Sequence, residues 1–111
     1  MTDVPEITAP EACQLPLLEQ PLRLAEFDEL FARGLRAQQR LSPTMLRWIF
    51  EPGVEATARD LTARETACCS FFTFDFTVVG DAVGVQVVVP PAQVKVLDAL
   101  ATRASIGLAA S

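Results

Sequence analysis

FFTFDFTVVGDAVGVQVVV, residues 71–89, is the stretch of this sequence that decides the fold. Its two halves, 71–79 and 83–89, are rich in the aromatic and β-branched residues that are enriched in β-strands. Between them, Gly80-Asp81, with Gly84 nearby, supplies the positive φ angles that a tight hairpin turn requires. The pattern therefore predicts two strands that are antiparallel neighbours in a sheet.

The chain before this hairpin predicts two further strands with a helix between them. Residues 13–18 form a short candidate strand, which Pro16 would confine to a sheet edge or to the end of the strand. Residues 22–40 carry apolar side chains at the spacing of an amphipathic helix, namely Leu24, Phe27, Leu30, Phe31 and Leu35. Ser42-Pro43 breaks that helix, and residues 45–50 then alternate as a strand does.

Two more helical patterns lie on either side of the hairpin. The first ends at the cysteine pair Cys68-Cys69 and is marked by Val54, Ala58, Leu61 and Glu65. The second begins after Pro90-Pro91, and its predicted buried face is Val94, Leu97, Leu100, Ala101 and Ala104. Residues 1–11 read as a flexible arm, because charges and prolines are spread through them without periodicity. Residues 105–111 read as a small-residue tail.

These patterns predict a single α+β domain over residues 12–104. The predicted order of elements is βαβαββα, which favours a two-layer arrangement of sheet and helices. We expect a mixed four-stranded sheet with the helices mainly on one face.

Composition restricts the class of protein. A chain of 111 residues with 50% apolar content can bury its own core without metal or disulfide cross-links. Nine basic and fourteen acidic residues give a net charge of −5, which repels a phosphate backbone. Arg33, Arg36 and Arg40 are interpreted as a solvated helix face rather than a nucleic-acid site. We expect no nucleic-acid partner.

The sequence also predicts a soluble, cytoplasmic protein without a membrane partner. No apolar run approaches the ~20 residues of a membrane-spanning helix, since Thr73, Asp75 and Thr77 interrupt residues 71–79. The first dozen residues have neither the basic nor the apolar region of a signal peptide. Three cysteines are an odd number, which fits a reducing compartment better than a secreted disulfide framework.

The chemically informative residues lie where the second helical pattern ends. Glu65 precedes Cys68 by three residues and Cys69 by four, so its carboxylate lies on the side of the helix that both thiols approach. Thiolates select soft or borderline metal ions, and the chain has no histidine. We therefore predict a metal site built from Cys68 and Cys69, with Cys13 as the third ligand and Glu65 as an auxiliary ligand or orienting group.

The number of sulfur ligands narrows the choice of ion. Three cysteines match the trigonal sulfur site that thiophilic ions such as Hg(II) or As(III) favour. A four-ligand structural Zn(II) site would need Glu65 or a second subunit. The leading hypothesis is a cytosolic protein that binds a thiophilic metal ion or metalloid.

Three alternatives stay open at this point. Free cysteine packs as a small hydrophobe, so the pair beside Phe71, Phe72 and Phe74 can also be core, with Glu65 solvated or paired with Arg64 or Arg103. A non-catalytic interaction module, with a homodimer as its simplest form, would explain the apolar richness of residues 71–89. A thiol enzyme or redox sensor is disfavoured, because a helix C-terminus opposes a thiolate and no histidine can act as base. The sequence leaves catalysis undecided and weighs against it.

The Glu-x-x-Cys-Cys-x-Phe motif at Glu65, Cys68, Cys69 and Phe71 resembles that of a family of small bacterial proteins. A similar module forms the C-terminal extension of some MerR-type heavy-metal regulators. Further resemblance lies in Ala12-Cys13-Gln14-Leu15, in residues 46–50, and in the hairpin before Pro90-Pro91, so it covers nearly all of the chain after residue 11. The resemblance implies a thiol site that includes all three cysteines and a link to heavy-metal resistance. Because this chain has no helix-turn-helix, the regulator's DNA-binding role does not carry over.

Overall fold

The computed structural model describes residues 20–110, which form three helices and one four-stranded sheet. In chain order the elements are α1 (Pro21–Gly34), β1 (Leu35–Ser42), β2 (Met45–Phe50), α2 (Glu55–Cys68), β3 (Thr73–Val79), β4 (Ala82–Val88) and α3 (Val94–Ala110). Short 3-10 turns, Pro52–Val54 and Pro91–Gln93, lead into α2 and α3. The predicted α+β class and four-stranded sheet are confirmed.

The sheet consists of two hairpins that meet through their second strands. Its order is β1-β2-β4-β3, so β1 and β3 are the edges. Every neighbouring pair is antiparallel, and the expectation of a mixed sheet is therefore wrong. The predicted β3–β4 hairpin is confirmed, and Gly80 at its turn has a φ of +62°. The described elements follow the order αββαββα, which differs from the predicted order in two ways. The candidate strand at 13–18 lies outside the described residues, and Leu35–Ser42 is a strand although most of it was expected to be helical.

The first helix ends earlier than its apolar stripe predicts. It stops at Gly34 rather than near Arg40, and Leu35, assigned to the stripe, begins β1 instead. Gly34 favours an end to the helix, and its carbonyl accepts a hydrogen bond of 2.8 Å from the Glu51 backbone N–H. In β1, the backbone groups form hydrogen bonds with β2 instead of within a helix. These tertiary contacts override the weaker helix propensity of the segment.

The last helix runs through the segment that was predicted to be a tail. It continues from Ser105 to Ala110 because this segment packs against α1. Gly107 is buried there, in contact with Phe31 and with the backbone of Ala32. Absence of a side chain at Gly107 allows the two helices to approach closely.

The helices cover one face of the sheet, as expected. That face carries the buried side chains of the two central strands, Leu46, Trp48, Phe50, Val83, Val85 and Val87. Trp48 is fully buried against Phe31 of α1, with ring centroids 5.0 Å apart, and its Nε1 donates a hydrogen bond of 2.8 Å to Gln38 Oε1. The Gln38 amide nitrogen in turn donates to the Ala101 carbonyl of α3 at 3.0 Å. Trp48 therefore joins β1, β2, α1 and α3 in one core.

The arginines for which the sequence predicts a single helix face, Arg33, Arg36 and Arg40, lie on two different elements. Arg33 is on α1, whereas Arg36 and Arg40 are on β1. Each has an acidic partner, at 3.8 Å for Arg33, 2.7 Å for Arg36 and 2.8 Å for Arg40. The hydrogen bond that Arg36 donates to Glu51 lowers the pKa of that carboxyl below its ordinary value. The cluster on the sequence is thus a set of separate surface ion pairs.

Gly107→Ala should lower the free energy of unfolding by about 1–3 kcal/mol, because the new Cβ would lie 2.6 Å from Phe31 Cβ and 3.2 Å from the Ala32 nitrogen. Urea unfolding followed by the fluorescence of the single tryptophan measures this. Gly53→Ala is the matched control, since a Cβ there meets nothing within 4 Å. Equal stability of the two variants would contradict the close α1–α3 contact.

Candidate functional site

The cysteine pair lies at the C-terminal end of α2, as predicted. Cys68 is the last helical residue and is half-buried, whereas Cys69 caps the helix and is only 3% exposed. The Cys69 backbone N–H donates to the Glu65 carbonyl at 2.6 Å, which closes the last turn. The two residues are not joined to each other by a disulfide. The sequence therefore presents one thiol near the surface and its neighbour in the core.

Glu65 is fully buried and forms an ion pair with Arg23 of α1. The Arg23 Nη1 atom donates to Glu65 Oε1 at 2.5 Å, and the Arg23 side chain is itself only 15% exposed. Both alternatives for this carboxylate, a solvated group or a partner of Arg64 or Arg103, are therefore wrong. Arg64 instead pairs with Glu26 and Asp60, and Arg103 pairs with Asp28.

The second carboxylate oxygen of Glu65 is buried and has no hydrogen-bond partner among residues 20–110. Both oxygens of a buried carboxylate normally accept hydrogen bonds, because moving the group out of water without replacing its hydrogen bonds costs free energy. Glu65 thus combines one strongly bonded oxygen with one that is available for a further interaction. This oxygen lies on the helical turn that ends in the cysteine pair.

Aromatic side chains surround the site on the side of the sheet. Phe72 is buried, and its ring lies 4.8 Å from that of Phe71 and 5.1 Å from that of Phe74. Cys69 belongs to the buried core together with Phe72, and Cys68 packs against its margin. The site consequently has an apolar wall, which limits the access of water to Cys69.

The described part of the site is incomplete as a metal centre. Within residues 20–110, no three cysteine, aspartate or glutamate side chains are grouped so that they could hold a metal ion. Glu65, Cys68 and Cys69 therefore do not form such a group by themselves. Cys13, the predicted third ligand, lies outside the described residues, and the complete set of ligands stays a prediction.

Arg23 is the residue of this site that sequence reasoning missed. Its position four residues before Phe27 and seven before Leu30 places it beside the buried stripe of α1. The sequence signal for this ion pair is a basic residue beside the buried stripe of α1 together with Glu65 on the buried side of α2. It could have identified the pair, because a buried charge requires an opposite charge nearby.

Comparison of the chain with models of protein families, with curated proteins and with solved structures found no match. Within the described part of the chain, none of the helices combines the length and apolar character needed to cross a membrane.

Arg23→Met should lower the free energy of unfolding by about 3–5 kcal/mol, because it leaves the Glu65 carboxylate buried without its opposite charge. Chemical denaturation measures the loss. Adding Glu65→Leu to this variant should recover most of it, since no buried charge then remains. Arg33→Met removes an exposed pair and should cost about 1 kcal/mol or less. Equal losses in the two single variants would disprove the structural role of the Arg23–Glu65 pair.

Cys68 should react with a thiol reagent faster than Cys69 in the folded protein, because Cys68 is half-buried and Cys69 is 3% exposed. We expect two kinetic phases when Cys13→Ser protein is labelled under native conditions, the slower one limited by opening of the core. Adding Cys69→Ser should remove the slow phase alone. A single fast phase for both thiols would show that Cys69 is accessible.

Proposed function

We propose that this protein binds a thiophilic metal ion or metalloid, of the Hg(II), As(III) or Zn(II) class, through Cys68 and Cys69 with Cys13 as the third thiol. The observation that carries the proposal is the pair of thiols at the end of α2, one of them reachable from the surface, beside a buried carboxylate with an oxygen still available. A soft ion would find two sulfur atoms on adjacent residues there. The ion is the cargo of this site.

The Arg23–Glu65 ion pair supports a contribution from Cys13. Arg23 lies three residues after Gln20, and Glu65 lies three residues before Cys68. Because the two side chains form an ion pair, Gln20 and Cys68 are each about one helical turn from the point where the helices meet. Gln20 follows Cys13 by seven positions, and a chain of this length spans up to about 25 Å. Cys13 therefore has ample reach to the cysteine pair.

The chemistry of the residues favours a soft ion over a hard one. The chain has no histidine, so a tight site must depend on sulfur. Deprotonation of the thiols is driven by the bound cation itself, and no general base is needed. Glu65, whose Oε1 atom is already bound to Arg23, is better suited to orient the site and balance its charge than to be a principal ligand.

Resemblance of the Glu65-to-Phe71 motif to the extensions of MerR-type regulators supports a role in heavy-metal resistance within the cytoplasm. In such a setting, the chain would act by capturing the ion. Sequestration would depend on all three thiols of a chain acting together. We infer binding rather than catalysis as the primary activity.

Titration of the reduced protein with As(III) should protect all three thiols at one equivalent per chain, because a trigonal ion takes three sulfur ligands. Hg(II) and Zn(II) are titrated in parallel, and free thiols are counted after rapid labelling. Each of Cys13→Ser, Cys68→Ser and Cys69→Ser should leave a site with two thiols that holds As(III) weakly. Equilibrium dialysis measures this loss of affinity directly.

Glu65→Gln provides a finer test, with an expected loss of affinity of about 10- to 100-fold, because it alters a group beside the ligands. Asp60→Asn is its matched control, since Asp60 lies on the same helix but is exposed, and it should bind as the unchanged protein does. Full reactivity of all three thiols in the presence of each ion would refute the proposal. Wild-type affinity in Cys13→Ser protein would remove Cys13 from the site.

A further inference from the structure

The two edges of the sheet differ in how they are protected. β1 carries Arg36 and Arg40, both fixed by ion pairs with acidic residues of other elements, and its register shifts at two places. β3 has no basic residue, one acidic residue, Asp75, and an unbroken register along all of Thr73–Val79. Charges and bulges at an edge prevent it from pairing with another strand. β1 has both of these features, and β3 has an uninterrupted edge instead.

The apolar side chains of β3 are also exposed to an unusual degree. At the end of the strand, Val78 is 76% exposed on one face and Val79 is 39% exposed on the other. Phe74 and Phe76 are only half-buried. None of the described strands covers the outer edge of β3. A regular edge strand of aromatic and β-branched residues is a strong template for a further strand.

A groove between α2 and β3 accompanies this edge. It is lined by Thr62, Ala63, Thr66, Ala67, Phe74 and Phe76, with Arg59 at one end. The Arg59 guanidinium lies over the Phe76 ring, 4.5 Å from its centroid. Because its walls are small or aromatic side chains, the groove can accept apolar side chains from a strand placed beside β3.

We propose that β3 of a second copy of this chain occupies this edge, so that the two sheets join into one of eight strands about a two-fold axis. Two identical strands pair antiparallel across such an axis, and the surface is then complementary to itself. The strand needs no other partner sequence. This interface adjoins the thiol site at Phe74 but does not require a bound ion.

The sequence of β3 selects the register of this pairing. An axis through Phe76 places Asp75 opposite Thr77 of the second copy and Val78 opposite Phe74 of the second copy. An axis through Asp75 would instead bring two carboxylates face to face, which is destabilising. In the favoured register the most exposed valine is covered by an aromatic ring. The two Phe76 side chains meet at the axis.

The chain's own residues 13–18, the candidate first strand, are less suited to this edge. Pro16 lies in their middle and has no N–H to donate, so they could pair with β3 only in a register that turns the Pro16 nitrogen away from it. A second β3 has seven residues and no proline. The second copy is therefore the occupant that the observations favour.

Val78→Lys tests the interface, because it places a charge at the exposed edge where Phe74 of the second copy should pack. Sedimentation velocity of the reduced protein should show a dimer for the unchanged chain. The variant should dissociate with a constant raised about tenfold or more, since an edge lysine opposes strand pairing. Thermal unfolding monitored by circular dichroism checks that the variant monomer stays folded.

Leu41→Lys is the matched control, because Leu41 is an exposed residue of the opposite edge strand and should leave the dimer unchanged. The proposal would be overturned if the unchanged chain stayed monomeric at all concentrations up to about 1 mM. That concentration is far above the dissociation constants of specific complexes. A Val78→Lys protein that stays as dimeric as the unchanged chain would overturn it as well. A dimer lost only in Leu41→Lys would place the interface at β1 instead.

Discussion

The buried ion pair between Arg23 and Glu65 constrains the helical layer more than any surface contact does. Glu65 is fully buried, and its charge would be costly there without the arginine. The pair connects the first turn of α1 to the last turn of α2, where the cysteines lie. A more exposed set of contacts continues from it, since Arg23 and Arg64 both bind Glu26. The relative position of the two helices is thus supported at this end by two ion pairs, of which Arg23–Glu65 is the more deeply buried.

A fully apolar contact at this place would pack the helices equally well, and replacing a buried ion pair by apolar residues is often neutral or stabilising. Packing alone therefore gives no reason for a carboxylate at Glu65. Among the described residues, Glu65 Oε2 has no hydrogen-bond partner, which a purely structural ion pair does not require. The proposed role of Glu65 toward the thiols would use this oxygen, while Oε1 binds Arg23.

Local patterns predicted most of this fold, and the failures share a physical cause. Trp48 and its neighbours on β2, the hairpin at Gly80, and the helix that ends at Cys68 all follow from periodicity and turn chemistry. The end of α1 at Gly34 and the continuation of α3 past Ser105 depend instead on contacts with distant residues. The site shows the same division, because the spacing of Glu65 to the cysteines is local whereas its partner Arg23 lies 42 residues away.

Strand pairing through β3 would also determine how the thiol sites of two chains are arranged. In the register centred on Phe76, Thr73 of one copy lies opposite Val79 of the other, so the two Thr73 residues are about 20 Å apart along the paired strands. Each cysteine pair precedes its own Thr73 by only a few residues. The pairs therefore lie at opposite ends of the joined strands, too far apart to share an ion bound to sulfur at about 2.3 Å. A dimer of this form requires each chain to complete its own site, for which Cys13 of the same chain is the remaining thiol.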